Sequence, residues 1–181
     1  GTRVAIDGPH GSFVMRPDKS PVLLIAGGVG IAPLLGMIEE AAANGDPRPF
    51  RLLYAARAQG DLICLDRLQN LQARLDLSVR CYVDGGPRRA KVGAVPIKAS
   101  HIRDFVQGIN TQEAVALVCG PPPMMEAVTD ALLKAGVPEN AVLYERFDFG
   151  AGKGRLDQQR RNQALLLIAV IVAVITTFSL R

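Results

Sequence analysis

Apolar residues in this chain recur as short continuous runs separated by segments of helical periodicity. Continuous runs bounded by Pro and Gly are typical of strands that are buried on both faces of a parallel sheet. The third run alternates between apolar and polar positions, which indicates a place near a sheet edge. The runs that we predict as strands, in order, are "PVLLIAGG", "FRLLYAA", "LSVRCYV", "AVALVCG" and "NAVLYERFDFG".

The segments between these runs carry helix signals. A helix is predicted from Pro33 to about Ala43, where "NGDPRP" ends it, and another over "PPPMMEAVTDALLKAG", which ends at Gly136. "DLICLDRLQNLQARL" has leucines at helical spacing, and "HIRDFVQGI" predicts a short helix. Alternating strands and helices predict an α/β fold with a doubly wound, five-stranded parallel sheet of order 3-2-1-4-5. Its order would then reverse between strands one and four, which both end in glycine loops.

A last apolar run, residues 164–180, contains no charged residue. As a helix it would be roughly 26 Å long, slightly short of a hydrocarbon core of about 30 Å. It follows a basic polar linker, residues 151–163, and has no amphipathic face, which favours a transmembrane helix over a buried core helix. Arg160 and Arg161 at its start predict that the preceding domain stays on the cytoplasmic side of the membrane.

Charge and cysteine content exclude two other classes. Residues 1–150 hold 16 basic and 16 acidic side chains, so the net charge of +4 comes entirely from the residues beside the apolar run. A nucleic-acid-binding protein would carry its basic residues on the folded body, so we expect no nucleic-acid partner. The three cysteines form no C-x-x-C pair, which argues against a disulfide framework and against a metal site.

The loop "GGVGIAP" after the first strand is a candidate phosphate loop. Gly27, Gly28 and Gly30 would let the backbone approach an anion, and the next helix would direct its free N–H groups at it. Pro33 stands where the standard G-x-G-x-x-G fingerprint has its third glycine, and a tight turn without a ligand is the alternative. After the second strand, Arg57 replaces the usual acidic residue; it would meet a 2′-phosphate, stack on adenine, or be a surface charge.

Five motifs in this order and spacing resemble the nicotinamide-binding half of the ferredoxin–NADP reductase superfamily: "GPHGSF", "GGVGIAP", "LLYAAR", "VCGPPPMM" and "YERFDF". The resemblance covers nearly all of residues 1–150. It implies that residues 17–150 form an NAD(P)-binding domain. It also implies that residues 1–16 are the end and hinge of a flavin-binding domain. That domain would lie upstream in a longer chain and carry FAD or FMN.

The same resemblance implies the site residues. Cys119 would face the nicotinamide; the alternative is that it is only a small buried side chain. Glu145 would lie by the locus of hydride transfer; the alternative is an ordinary carboxylate at the edge of the sheet. The residues that the resemblance places at the cofactors are Gly27, Gly28, Gly30 and Pro33 at the pyrophosphate, Arg57 at the adenosine ribose, Gly120 and Pro121 beside Cys119, Phe147 at the flavin, and Gly8, Pro9, Gly11 and Ser12 at the flavin–nicotinamide junction. Phe147 is preferred to Phe149 because it falls inside the motif.

The function implied is an NAD(P)H-dependent flavoprotein reductase that passes hydride to the flavin and electrons onward. The acceptor would be an iron–sulfur protein, a haem, a quinone or a ferric chelate. One alternative is a membrane-tethered nucleotide-binding or electron-transfer subunit without turnover of its own. Another is a degenerate structural module, against which the retained "CGP" and "YERF" argue. The choice between NADH and NADPH stays open at this point.

Overall fold

Five parallel strands form the sheet at the centre of the fold. The computed structural model describes residues 1–5, 11–83 and 97–146, all within one compact unit, Gly1–Phe147. The sheet has the order β3-β2-β1-β4-β5, as predicted, with β3 at an edge. The strands are β1 (Val22–Gly27), β2 (Phe50–Ala56), β3 (Leu77–Val83), β4 (Val115–Cys119) and β5 (Val142–Glu145).

Within the described residues, four helices and three short 3₁₀ turns lie between the strands. The first helix begins at Ile31, two residues before the predicted start, so Pro33 is its third residue and not its first. Proline fits there because the N–H groups of a helix's first turn have no partner within the helix. The helices are α1 (Ile31–Ala43), α2 (Leu65–Gln72), α3 (Ala99–Phe105) and α4 (Pro122–Lys134); the 3₁₀ turns are Gly28–Gly30, Gln59–Asp61 and Glu139–Ala141.

The sheet separates two apolar clusters, which explains why its central strands are apolar at successive positions. On one face, Leu24 and Ala26 of β1 belong to a cluster with α1 and α2. On the other face, Leu23 and Ile25 belong to a cluster with α3 and α4. Because successive side chains of a strand point to opposite faces, a strand covered on both sides needs apolar residues throughout.

The register brings the ends of β1, β4 and β5 to one place. Ala26 of β1 is paired with Cys119 of β4, and Cys119 is paired with Glu145 of β5. The chain leaves β1 for α1 and leaves β4 for α4, which lie on opposite faces of the sheet. The reversal of strand order therefore falls between β1 and β4, and the loops that follow them lie side by side.

Within the described residues, no helix combines the length and the apolar character needed to cross a bilayer. The predicted transmembrane segment, residues 164–180, and the basic linker, residues 151–163, lie outside that part of the chain.

Candidate functional site

The loops after β1 and β4 are in direct contact at Gly30. A Cβ atom added at Gly30 would overlap the carbonyl oxygen of Cys119 and lie 2.5 Å from its carbonyl carbon. Both of these atoms are backbone atoms, so they cannot turn aside as a flexible side chain could. Gly30 is therefore required where the two loops pack against each other, in addition to any role that it has at a phosphate.

Gly27 and Gly120 make a second close contact between the same loops. A Cβ atom at Gly120 would lie 3.1 Å from the Cα atom of Gly27 and 2.6 Å from Cε of Met124. A Cβ atom at Gly27 would lie 2.5 Å from the sulfur of Met124 and 2.9 Å from Cδ of Pro121. Met124 is buried beneath both glycines.

Gly28 differs from these glycines because the space beside it is open. Its φ is +56°, a conformation that L-residues with a side chain rarely adopt, and a Cβ atom there would meet nothing within 4 Å. Gly28 thus faces free space at the point where the strand order reverses. A ligand at this edge could approach the backbone of Gly28 closely.

The starts of α1 and α4 carry no negative side chain that would oppose an anion. No side chain caps the start of α1 or α4, and neither helix has an acidic residue in its first turn. The positive end of the helix dipole attracts negative charge at such positions. The N–H groups of Ile31, Met124 and Met125 already donate to backbone carbonyl oxygens. Pro33 lies half-buried in the first turn of α1 and Pro121 is exposed before α4. The arrangement suits a phosphate or pyrophosphate.

Cys119 and Glu145 form a pair at the ends of β4 and β5. The Cys119 side chain is fully buried in the cluster beneath α1 and α2. Burial, with a smaller contribution from the negative charge of Glu145, raises the pKa of the Cys119 thiol to about 11. The thiol is therefore neutral at physiological pH, so it offers a small uncharged group and not a thiolate nucleophile.

The turn after β2 holds Arg57 at the surface. The N–H of Ala58 donates to Oδ2 of Asp61 at 3.2 Å, and the Ile63 N–H donates to the Tyr54 hydroxyl at 3.1 Å. These hydrogen bonds fix the turn from below, while Arg57 itself is exposed. The structure thus leaves the Arg57 guanidinium accessible at the carboxyl end of β2, and its ligand remains a prediction.

The remaining predicted residues belong to the ends of the folded unit. Gly11 and Ser12 are exposed, and Gly11 has a φ of +111°. Gly8, Pro9 and Phe147 lie outside the described residues. The structure therefore brings together Gly27, Gly28, Gly30, Pro33, Cys119, Gly120, Pro121 and Glu145, at the edge formed by β1, β4 and β5.

Comparison with known proteins identifies the family. Residues 24–130 match the family model described as the oxidoreductase NAD-binding domain. The chain belongs to this family. The matched residues include both loops and the first turns of α1 and α4, but not Glu145.

Electron-transfer and reductase components of oxygenases are among the similar proteins. The chain is 33% identical over 149 residues to the toluate 1,2-dioxygenase electron transfer component of Pseudomonas putida, an alignment that covers 81% of this chain and 43% of the relative. It is 30% identical over 151 residues to the propane 2-monooxygenase reductase component of Rhodococcus jostii, covering 81% and 41%. The chain thus spans about two fifths of the length of these curated relatives.

Solved structures show the same architecture. A cytochrome P450 reductase of Amycolatopsis superposes with a TM-score of 0.63 at 28% identity, covering 77% of this chain and 42% of the other. Phthalate dioxygenase reductase superposes with a TM-score of 0.56 at 23% identity, covering 81% and 41%. The second likeness is evidence for the fold alone.

A polar cluster at the other end of the strands, near the start of β2, was not identified from the sequence. Arg48, 8% exposed, is bound to the carboxylate of Asp46 and to the backbone of Arg16. In the sequence, "NGDPRP" signals only the end of a helix. The spacing Asp-x-Arg carries no signal of burial, since arginine is mostly exposed in folded proteins.

Proposed function

We propose that this chain is the nucleotide-binding module of an NAD(P)H-dependent flavoprotein reductase. The observation that carries the proposal is the uncapped start of α1 beside the open Gly28, at the reversal of strand order. The pyrophosphate of NAD(P)H would lie against Gly28 and the first turn of α1. The nicotinamide would lie toward the end of β4, near Cys119 and Glu145. The match to the oxidoreductase NAD-binding domain supports this placement.

The residues at the site would act by positioning. Nicotinamide supplies a hydride, and the flavin of an upstream domain accepts it as two electrons and a proton. Because the Cys119 thiol is neutral, it would shape the site without charge, and the Glu145 carboxylate would add negative charge beside it. The contact between Gly30 and Cys119 would hold the pyrophosphate loop and the nicotinamide end in one geometry, as hydride transfer requires.

A pair of matched glycine variants tests where the nucleotide binds. Gly28 and Gly45 both have positive φ, +56° and +64°, and a Cβ atom at either would meet nothing within 4 Å. Asparagine tolerates this conformation better than other side chains. Gly28→Asn should weaken NADH or NADPH binding at least about tenfold, roughly 1.4 kcal/mol, because its side chain would occupy the approach of the phosphate.

Calorimetric titration of the 181-residue chain measures both variants. Gly45→Asn, beyond the far end of α1, should bind like the wild type. Equal affinity in Gly28→Asn and the wild type would exclude this loop as the pyrophosphate site. A wild-type chain that binds neither nucleotide, assayed also with the flavin domain attached, would overturn the proposed function.

Cys119→Ser tests the nicotinamide end of the site. In a chain that includes the flavin domain, this variant should slow flavin reduction by NAD(P)H more than it changes nucleotide affinity, because only alignment in the transition state is disturbed. Stopped-flow rates equal to those of the wild type would leave Cys119 as a packing residue. Nucleotide binding without any flavin reduction in the wild type would favour a subunit without turnover of its own.

The proposal includes a redox acceptor and a membrane anchor. Both relatives named above are components of oxygenase systems, and by analogy the acceptor would be a redox protein such as an iron–sulfur protein. The uncharged run at residues 164–180 supports a single transmembrane helix, with the nucleotide module on the cytoplasmic side. Carbonate washes should leave the full chain in membranes and release a chain that ends at Gly150. Release of both would contradict the anchor.

A further inference from the structure

The chain enters β1 through a segment, residues 11–20, that lies along the folded unit. Phe13 and Met15 are partly buried against the cluster beneath α1 and α2. Asp18 closes a turn by accepting the Ser20 N–H at 2.9 Å. This entry segment is therefore bound to the nucleotide module before the first strand begins.

Arg48 holds the middle of the entry segment. Its Nη1 donates to the carbonyl oxygen of Arg16 at 2.8 Å. Its Nε and Nη2 donate to the Asp46 carboxylate, with Nη2 at 2.7 Å from Oδ2, and its Nη1 lies 3.7 Å from Asp18. All three guanidinium nitrogens are thus engaged. The bidentate pair with Asp46 fixes the plane of the guanidinium and aims Nη1 at the entry segment.

Arg16 is held a second time through its own side chain. Its Nη2 donates to the carbonyl oxygen of Asn140 at 2.7 Å, in the 3₁₀ turn before β5. Arg48 lies two residues before β2, and the strands β1 and β4 separate β2 from β5. Arg16 therefore spans the amino-terminal edge of the sheet, with its backbone fixed on one side and its guanidinium on the other.

Packing holds residues 14–17 on one side only, where Met15 contacts the cluster beneath α1 and α2. A groove of about 390 Å³ opens between residues 14–17 and the second half of α1, lined by Met37, Glu40 and Asn44 among others. A groove of this size leaves atoms of the segment without neighbours on one side. The hydrogen bonds of Arg48 and Arg16 therefore define where residues 14–17 lie together with the packing of Met15.

We propose that Arg48 is a positioning residue for hydride transfer, acting by fixing the direction in which the upstream flavin domain joins this module. The inference rests on the proposed function, because only that function places a flavin domain before the entry segment. We call the hydrogen bonds that Arg48 and Arg16 make at the entry segment the clamp. Gly11, with its positive φ and open surroundings, lies just before the clamp in the chain and would be the pivot. Release of Arg16 would let the flavin move relative to the nicotinamide while the nucleotide loop stays intact.

The matched control is Arg51, a second arginine of the same chain region. Its Nη1 donates to the carbonyl oxygens of Phe105 and Gln107, both at 2.7 Å, at the end of α3. Arg51→Met therefore removes arginine-to-carbonyl hydrogen bonds without touching the entry segment. Arg48→Met removes the clamp, Arg48→Lys keeps a donor for the Arg16 carbonyl, and Arg16→Met removes only the exposed link to Asn140.

Chymotrypsin cleavage after Phe13, followed by mass spectrometry on the 181-residue chain, reports release of the segment. Cleavage after Tyr54, a buried residue of β2, reports global unfolding in the same sample. Arg48→Met should raise the rate after Phe13, relative to the rate after Tyr54, about tenfold. Arg16→Met should raise it less, Arg48→Lys should restore part of the protection, and Arg51→Met should leave the ratio unchanged. An unchanged ratio in both Arg48→Met and Arg16→Met would overturn the clamp, even if one variant folds poorly.

Flavin reduction in a chain that includes the flavin domain tests the consequence. At saturating NAD(P)H, Arg48→Met should lower the rate constant about tenfold, while the nucleotide dissociation constant stays within about twofold of the wild type. If Arg48→Met is cleaved faster after Phe13 but reduces flavin at the wild-type rate, the positioning role is wrong and the proposed function still stands. If the wild-type chain binds neither NADH nor NADPH, the proposed function is wrong, but the cleavage result still tests the clamp.

Discussion

The two ends of the strands are built in opposite ways. We call the side of the sheet where the strands end the carboxyl edge, and the side where they begin the amino edge. At the carboxyl edge, Gly27, Gly30 and Gly120 let two loops approach through their backbones, and the starts of α1 and α4 are left without side-chain caps. At the amino edge, a buried guanidinium and a carboxylate, Arg48 and Asp46, satisfy each other and hold the entry segment. The carboxyl edge is built from close backbone contacts, whereas the amino edge is held by paired side chains.

This difference indicates that one end of the strands is suited to binding a ligand and the other to holding a segment of the chain in place. The positive end of a helix dipole attracts an anion, and neither α1 nor α4 has an acidic residue in its first turn, so the carboxyl edge is suited to a negatively charged ligand. A buried charge must be paired to be tolerated, so the amino edge is suited to a fixed internal contact. The proposed function would use both, with the nucleotide bound at one edge and the flavin-bearing chain held at the other.

The largest effect is expected at Gly30. Gly30→Ala should lower the free energy of unfolding by about 3 kcal/mol or more, because the new methyl group would overlap the backbone at Cys119 and force the loops apart. Urea denaturation followed by circular dichroism measures it, since the chain contains no Trp.

Gly28→Ala is the control within the same loop. It should cost about 1 kcal/mol, from backbone strain alone, because nothing lies within 4 Å of the added atom. Equal losses at the two positions would mean that the close contact between the loops does not distinguish them.

A smaller effect, with a defined pH dependence, is expected at the amino edge. Hydrogen bonds from the Arg48 side chain, more than its backbone N–H or its charge, hold the pKa of the Asp46 carboxyl below its usual value of 3.8. Asp46→Asn should therefore lower the free energy of unfolding by about 2 kcal/mol at neutral pH.

The sign of the pH dependence follows from the lowered pKa. A carboxylate favoured in the folded state contributes its stability above the unfolded pKa and loses it as the pH falls through the folded pKa. The difference between the wild type and Asp46→Asn should therefore be complete above about pH 4 and should shrink below 3.8. A difference that is constant from pH 7 to pH 2.5 would assign the cost to altered shape and not to charge.

The carboxyl edge could be predicted from the sequence and the amino edge could not. The apolar runs predicted the strands, and the expected order 3-2-1-4-5 placed Cys119, Glu145 and the glycine loop at one edge, as the structure shows. Gly30 was assigned to a phosphate, whereas its contact with the Cys119 backbone depends on the meeting of loops 89 residues apart. The partners of Arg48 likewise include a backbone carbonyl 32 residues away, for which no local pattern exists.

The smallest effect is expected at Gly36, which tests whether a glycine near the site is required because it lies there. Gly36 lies in the interior of α1, one turn after Pro33, and is exposed; a Cβ atom there would meet nothing within 4 Å. Unlike Gly28, it has no positive φ. Glycine inside a helix costs about 0.5–1 kcal/mol relative to alanine, because more backbone freedom is lost on folding. Gly36→Ala should therefore raise the free energy of unfolding by about that amount and leave nucleotide affinity unchanged. Urea denaturation and calorimetric titration measure the two quantities. A loss of nucleotide affinity in Gly36→Ala would mean that the exposed face of α1 also takes part in binding. The glycines needed for binding would then not be limited to the loop after β1.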